Sequence, residues 1–190
     1  VGLPDVVVLD DRTRTTLREI SRLEQPRNAT HIILPIAEKV HEISERHGYT
    51  AKDLERITPE FNDAMHAVIA DYERALHKVD RKIKMLEDDK KMLVNEAARL
   101  HKIAANNTDE KIMRLKRIVQ ILGEATRVEE RLTALKRERK QNIDSLKRLF
   151  VRAPIAYFVH LARRGDERKV HPAITDAFFA AIIERKKKPS

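Results

Sequence analysis

The chain has 190 residues, no Cys, no Trp and only 4 Gly; 36% of its residues are charged and the formal net charge is +9. The absence of Cys excludes a disulfide framework, a thiolate zinc site and a Cys nucleophile, and it fits a reducing or organellar interior. Aromatic residues make up only 4%, and Ala, Glu, Lys, Leu and Arg are abundant, a composition that points to long helices with solvated flanks.

The basic excess is uneven. Residues 1–105 carry 18 Lys and Arg against 19 Asp and Glu, whereas residues 106–190 carry 21 against 11. Such asymmetry implies an anionic partner for the second part. No apolar run approaches the roughly 18 residues that a membrane span needs. The first residue is Val, read here as the end left by removal of an organellar presequence or by a cut from a longer chain. The expected location is the mitochondrial matrix, with the cytoplasm as the alternative.

Residues 1–10 read as an extended arm. Pro4 disfavours helix before it, and Val6, Val7, Val8 and Leu9 form a short apolar run with no second strand to pair with. Asp10 or Asp11 caps a short helix carrying Leu17, Ile20 and Leu23, which Pro26 ends. A second helix is predicted to begin near Pro35, with Ile36, Val40 and Ile43 on one face and Gly48 just past its end. Thr50 and Asp53 have the spacing of a capping box and open a short helix with Leu54 and Ile57.

Thr58-Pro59-Glu60 is the clearest helix start. Thr58 can cap free N–H groups, Pro59 sits where a missing N–H costs nothing, and Glu60 favours the positive end of the helix dipole. Apolar residues then recur at steps of four and three: Phe61, Met65, Val68, Tyr72, Leu76, Val79, Ile83 and Leu86, then Leu93, Ala97, Leu100 and Ala104, with Lys90 filling one position. This is a coiled-coil seam with one extra four-residue step at Tyr72 to Leu76.

Asn106 and Asn107 close this helix, and Asn107 with Glu110 opens the next. The seam predicted for the second long helix is Ile112, Leu115, Val119, Leu122, Ala125, Leu132, Leu135, Ile143, Leu146 and Phe150. Each helix would span on the order of 65–70 Å, and a short connection makes the two antiparallel. Two short helices follow. One contains Ile155, Tyr157, Phe158 and Leu161 and is closed by Gly165. The other opens at Pro172 and carries Ile174, Phe178, Ile182 and Ile183.

The predicted fold is therefore all-α: a long antiparallel coiled-coil-like hairpin over 58–152, with helices at 58–105 and 108–150 and a tip at 106–107. The arm and short helices occupy 1–57, and a short-helix pair with a basic tail occupies 153–190. Ala153–Phe158 followed by His171–Thr175 resembles the first two helices of an HMG box. No third helix follows, no core Trp is present and the spacing before Tyr157 is one residue short. These departures leave the hairpin reading in place.

Catalytic chemistry finds little support. No phosphate-binding Gly-rich loop is present. His41 and His47 are six apart, whereas the zinc-protease motif needs His at i and i+4. Asp63 with His66 and Glu73 with His77 place carboxylates near imidazoles, but no matching Glu-x-x-His occurs on the second long helix to complete a di-metal site. No catalytic residue, metal, cofactor or small-molecule substrate is expected.

The basic positions carry more information. Arg114, Lys116, Arg117, Arg127, Arg131, Lys136, Arg137, Arg139, Lys140, Lys147, Arg148, Arg152, Arg163 and Arg164, with Lys186, Lys187 and Lys188, form the candidate RNA-binding set. Arg and Lys on non-seam faces can track a phosphate backbone without reading bases. Glu124, Glu129, Glu130, Glu138 and Asp144 could instead neutralise many of them. Val6, Val7, Val8, Tyr157, Phe158, Phe178, Phe179 and Ile182 are the candidate partner-packing residues. The function expected is that of a structural, non-enzymatic subunit of a large ribonucleoprotein, most plausibly a mitochondrial ribosomal protein touching rRNA and neighbouring subunits. The alternatives are an accessory strut of a respiratory or ATP synthase complex and a self-associating coiled-coil adaptor.

Overall fold

The computed structural model describes residues 9–165 and 169–188. Seven α-helices follow one another among the described residues: α1 Asp11–Arg22, α2 Thr30–His47, α3 Ala51–Ile57, α4 Pro59–Lys102, α5 Thr108–Arg152, α6 Ile155–Arg164 and α7 Pro172–Lys187. No strand occurs among the described residues, and the fold is all-α. Val6, Val7 and Val8 lie outside the described residues.

Local capping explains most helix ends. The Asp10 carboxylate accepts from the Thr13 N–H at 2.7 Å and starts α1. Gly48 closes α2 at φ +67°, where a Cβ would be strained. Thr50 and Asp53 form the reciprocal capping box, with N–H bonds of 3.2 and 3.1 Å. At α5, the Glu110 N–H donates to Asn107 Oδ1 at 2.8 Å, and the Glu110 carboxylate accepts from the Asn106 N–H at 2.8 Å.

Two starts differ from expectation. Helix α2 begins at Thr30 and runs through Pro35. A 3-10 turn at Pro26–Ala29 leads directly into it, and the Thr30 hydroxyl is held by Arg27 O at 2.6 Å and Tyr72 Oη at 2.9 Å. These anchors fix the helix start upstream, and burial of Ile33 and Ala37 offsets the backbone bond that Pro35 omits. The Thr58 hydroxyl, expected to cap α4, donates to Leu54 O at 3.0 Å and closes α3 instead. Helix α3 ends one residue earlier, so its last carbonyls are within reach.

The chain divides into two compact units. One comprises the residues up to Leu76 together with those from Gln141 onward; the other is His77–Lys140. The first unit, the core unit, packs α1, α2, α3, α6 and α7 around the first part of α4 and the last part of α5. Phe61, Met65, Val68 and Ile69 of α4, Leu146, Leu149 and Phe150 of α5 and Ile33 of α2 are fully buried. Tyr157 and Phe178 stack with centroids 4.0 Å apart, and Phe150 meets both edge-on at 5.7 and 5.9 Å. Residues expected to belong to a free-standing hairpin thus lie in a multi-helix core, because only there do their large side chains find apolar neighbours on several sides.

The second unit is a two-helix antiparallel pair. Its register is marked by Lys90–Glu129 at 2.7 Å, Glu87–Lys136 at 3.3 Å and Asp80–Arg139 at 2.7 Å. The α4 seam is as predicted from Val79 to Leu100: Val79 and Ala97 are buried and Ile83, Leu86, Leu93 and Leu100 half-buried. Helix α4 stops at Lys102 rather than at 105, and Ala104, predicted to end the seam, is exposed beyond it. The α5 seam is as predicted only from Ala125 onward: Ala125, Leu132, Leu146 and Phe150 are buried and Leu135 and Ile143 half-buried. The predicted Ile112, Leu115, Val119 and Leu122 are exposed, and Ile118 and Ile121 turn inward in their place. Helix α5 carries two overlapping apolar tracks. The one through Ile112, Leu115, Val119 and Leu122 runs out into Thr126, Glu129 and Thr133, while the one through Ile118 and Ile121 continues into the predicted Ala125, Leu132 and Leu135. The longer track pairs with more of α4 and buries more apolar surface, so it faces inward.

Candidate functional site

The described cations of the candidate RNA-binding set fall into two groups. Many are already engaged within the chain. Arg114, at the start of α5, donates to Ile103 O and, at 3.0 Å, to Ala104 O, satisfying carbonyls just past the end of α4. Arg139 pairs with Asp80 and Lys136 with Glu87. Lys147 and Lys188 share Glu184 at 2.9 and 3.8 Å, and Arg152 meets Glu38 at 2.7 Å. Arg163 reaches Asp63 at 2.6 Å and Glu55 at 3.6 Å, and Arg164 binds Glu73. Arg117 donates to Gln120 at 3.0 Å and Arg148 to Ser145 at 3.3 Å.

The others are exposed and make no ion pair among the described residues: Lys116, Arg127, Arg131, Arg137 and Lys140 of α5, and Lys186 and Lys187 in the last turn of α7. The hairpin unit as a whole holds 18 Lys and Arg against 11 Asp and Glu. Arg137 and Lys140 lie one turn apart on α5, displaced from the seam. They form a free basic flank able to take phosphate oxygens.

The candidate partner-packing residues also divide. Tyr157 and Phe178 are buried in the chain's own core, so they present no surface to a neighbour. Ile182 is half-buried against that core. Phe158 and Phe179 are exposed by 46% and 58%. Sequence periodicity could not separate them, because adjacent Phe residues on a short helix carry equal weight until the packing direction is known.

A buried polar centre is only half visible in the sequence. The spacing sets Asp63 beside His66, yet His66 Nδ1 lies 3.2 Å from His160 Nδ1, and Asp63 binds Arg163. The two imidazoles stack at 5.1 Å. His160 is fully buried, with its Nε2 3.6 Å from Glu73. Glu73 accepts from the His171 N–H at 2.9 Å and from Arg164. Burial, then the adjacent His66, push the His160 pKa down from 6.5 to about 4. Burial and the nearby Arg163 and Arg164 lower that of His66. For Glu73, burial alone would raise the pKa, but the bonds from Arg164 and the His171 N–H outweigh it and hold it below the ordinary value. No local signal points to His160, because it is distant in sequence and meets His66 only through the packing of α6 on α4.

Geometry of this centre is structural. Two Nδ1 atoms at 3.2 Å need one donor and one acceptor, so at most one of the two rings can be charged, and burial disfavours even that. No group of three or more His, Asp or Glu among the described residues is placed to hold a metal ion. The centre makes the core unit acid-sensitive. His66 and His160 have folded pKa values below the unfolded value, so their contribution is present above pH ~6.5 and lost as pH falls toward 4. The Glu73 contribution is lost lower, as pH falls below its ordinary carboxylate value. Urea titrations at pH 7.5 and pH 5 are expected to differ by about 2 kcal/mol from His160 alone. A difference that survives unchanged in His160→Gln would show that another group controls it.

The hairpin unit also bears two adjoining open depressions of about 410 and 570 Å³ along one side. Their floor is Leu86, Leu93, Val128 and Leu135, and their rims are charged. No described helix is long and apolar enough to cross a membrane. The chain matches no known protein family, no curated protein and no solved structure.

Proposed function

We propose that this protein is a non-catalytic architectural subunit of a large ribonucleoprotein, and that the basic flank of its hairpin unit lies along an RNA backbone. The observation that carries this reading is the set of uncompensated cations. Arg137 and Lys140 have no carboxylate partner among the described residues, in a unit already in excess of positive charge. Cations left free of intramolecular pairs retain their full Coulomb attraction for phosphate and release counterions on binding. A mitochondrial ribosome is the assembly to test first. The core unit would anchor the subunit among neighbouring proteins through exposed Phe158 and Phe179.

The structure sharpens the choice of variants. Arg139 should be left alone, since reversing it would break its bond to Asp80. Phe178→Asp would unfold the core and could not report on a protein neighbour. Arg137→Glu with Lys140→Glu is expected to leave folding intact and to weaken RNA binding about tenfold or more at physiological salt. The same variant is expected to flatten the salt dependence and to leave ribosome-sized fractions in a sucrose gradient. Wild-type protein should leave those fractions after RNase treatment. Equal incorporation of the variant, or migration in a large RNase-resistant particle, would refute RNA contact and favour a respiratory or ATP synthase strut.

A further inference from the structure

The groove on the hairpin unit has rims of patterned charge. Lys82, Asp89 and Glu96 recur every seven residues on α4; Arg131 and Glu124 stand seven apart on α5, and Glu138 continues that spacing outside the groove's lining. Met85 and Met92 stand between the α4 charges and are 66% and 70% exposed. On α5 the corresponding sites hold Ala134 and Arg127. Lys82, Asp89, Glu124, Arg127, Arg131 and Glu138 make no ion pair among the described residues.

The pairs Lys90–Glu129 and Asp80–Arg139 fix which residues share a level. By that register, Lys82 is level with Glu138, Met85 with Ala134, and Asp89 with Arg131. Glu96 is level with Glu124, and Arg127 lies about one turn away.

We propose that the groove is the docking surface for a second copy of this chain, related by a two-fold axis parallel to the hairpin. Such an axis places α4 of one copy over α5 of the other without changing levels. Lys82 then faces the second copy's Glu138 and Asp89 its Arg131; Glu96, held by Arg99 at 2.7 Å in its own chain, comes level with the second copy's Glu124, with Arg127 one turn away. Met85 enters the space left by Ala134, and Met92 packs over Val128. Each contact occurs twice, as an isologous interface requires.

The opposite choice is disfavoured by the same charges. A two-fold axis across the hairpin would lay α4 on α4 and α5 on α5. With the axis at the level of Asp89 and Arg131, Asp89 would confront Asp89, Arg131 would confront Arg131 and Glu124 would confront Glu138, and only Lys82 with Glu96 would attract, so the balance costs affinity. The result of the favoured axis is a four-helix bundle with apolar residues inside and opposite charges at its edges. This interface lies on a different side of α5 from Arg137 and Lys140, so it is independent of the RNA reading.

The test is the mass of the full RNase-treated chain by sedimentation equilibrium across a concentration series. Wild type is expected to shift from monomer to dimer. Asp89→Arg is expected to weaken dimerisation by about tenfold or more, because it sets one guanidinium against that of Arg131 in the second copy. Arg131→Asp alone should do the same, and the double exchange of both should restore the dimer. Circular dichroism of each variant confirms that the hairpin is folded. The proposal is overturned by a monomer at every concentration, or by a dimer indifferent to Asp89→Arg. It is also overturned by a dimer lost with Val119→Asp instead, which would assign the contact to the other exposed apolar face.

Discussion

Replacing Glu73 with Ala is expected to destabilise the core unit by about 3–5 kcal/mol, as removal of one partner of a buried ion pair does. Glu73 is only 5% exposed. Its carboxylate binds Arg164 on α6 and the backbone N–H of His171, the residue that caps α7. Truncation leaves a largely buried guanidinium without its counter-charge and an N–H without its acceptor. It also removes the negative group beside His160. Glu73→Gln keeps an acceptor for the His171 N–H and loses only the charge, so its cost should be smaller. Urea denaturation gives both numbers, and hydrogen exchange should show the loosening concentrated in α6 and the start of α7. Equal losses in the two variants would mean that the charge carries the whole effect and that the acceptor and the packing of the side chain add nothing; an undiminished Glu73→Gln would mean that the charge contributes nothing.

Ile121→Asp and Val119→Asp should behave in opposite ways although they lie two residues apart. Ile121 is 1% exposed in the seam of the hairpin unit, and Val119 is 70% exposed on its flank. A carboxylate at 121 must be desolvated between two helices or force them apart, a cost of several kcal/mol. At 119 it enters water and costs a few tenths of a kcal/mol. The check is helicity by circular dichroism with limited trypsin digestion at Lys116, Arg117 and Arg127. The Ile121 variant should be cut rapidly there and lose helical signal; the Val119 variant should resemble wild type. If the two outcomes were exchanged, the seam would lie on the other apolar track.

This pair of residues shows where sequence reading reached its limit. Both tracks on α5 have coiled-coil spacing, and each is a legitimate amphipathic face taken alone. Their merit differs only against α4, whose inward residues extend from Val79 to Leu100 and reward the longer track. The cations follow the same logic. Arg114, Arg139 and Arg164 look as available as Arg137 or Lys140 in the sequence, but their neighbours are Ile103 O, Ala104 O, Asp80 and Glu73, which lie elsewhere in the chain.

What the sequence determined by itself is local. Two helices of 44 and 45 residues, the start of the second at Asn107 and Glu110, the capping box at Thr50 and Asp53, and the Gly48 terminus all follow from interactions within a few residues. Backbone hydrogen bonding and capping operate at that range, so their signals survive in a linear string. What only the tertiary structure decided is every choice between equivalent local options. These are the face of α5 that turns inward, the charges that are neutralised, the pairing of His66 with His160, and the placing of Phe178 inside and Phe179 outside. Each depends on burial and Coulomb energy between residues far apart in the chain, and those energies exist only once the helices have packed.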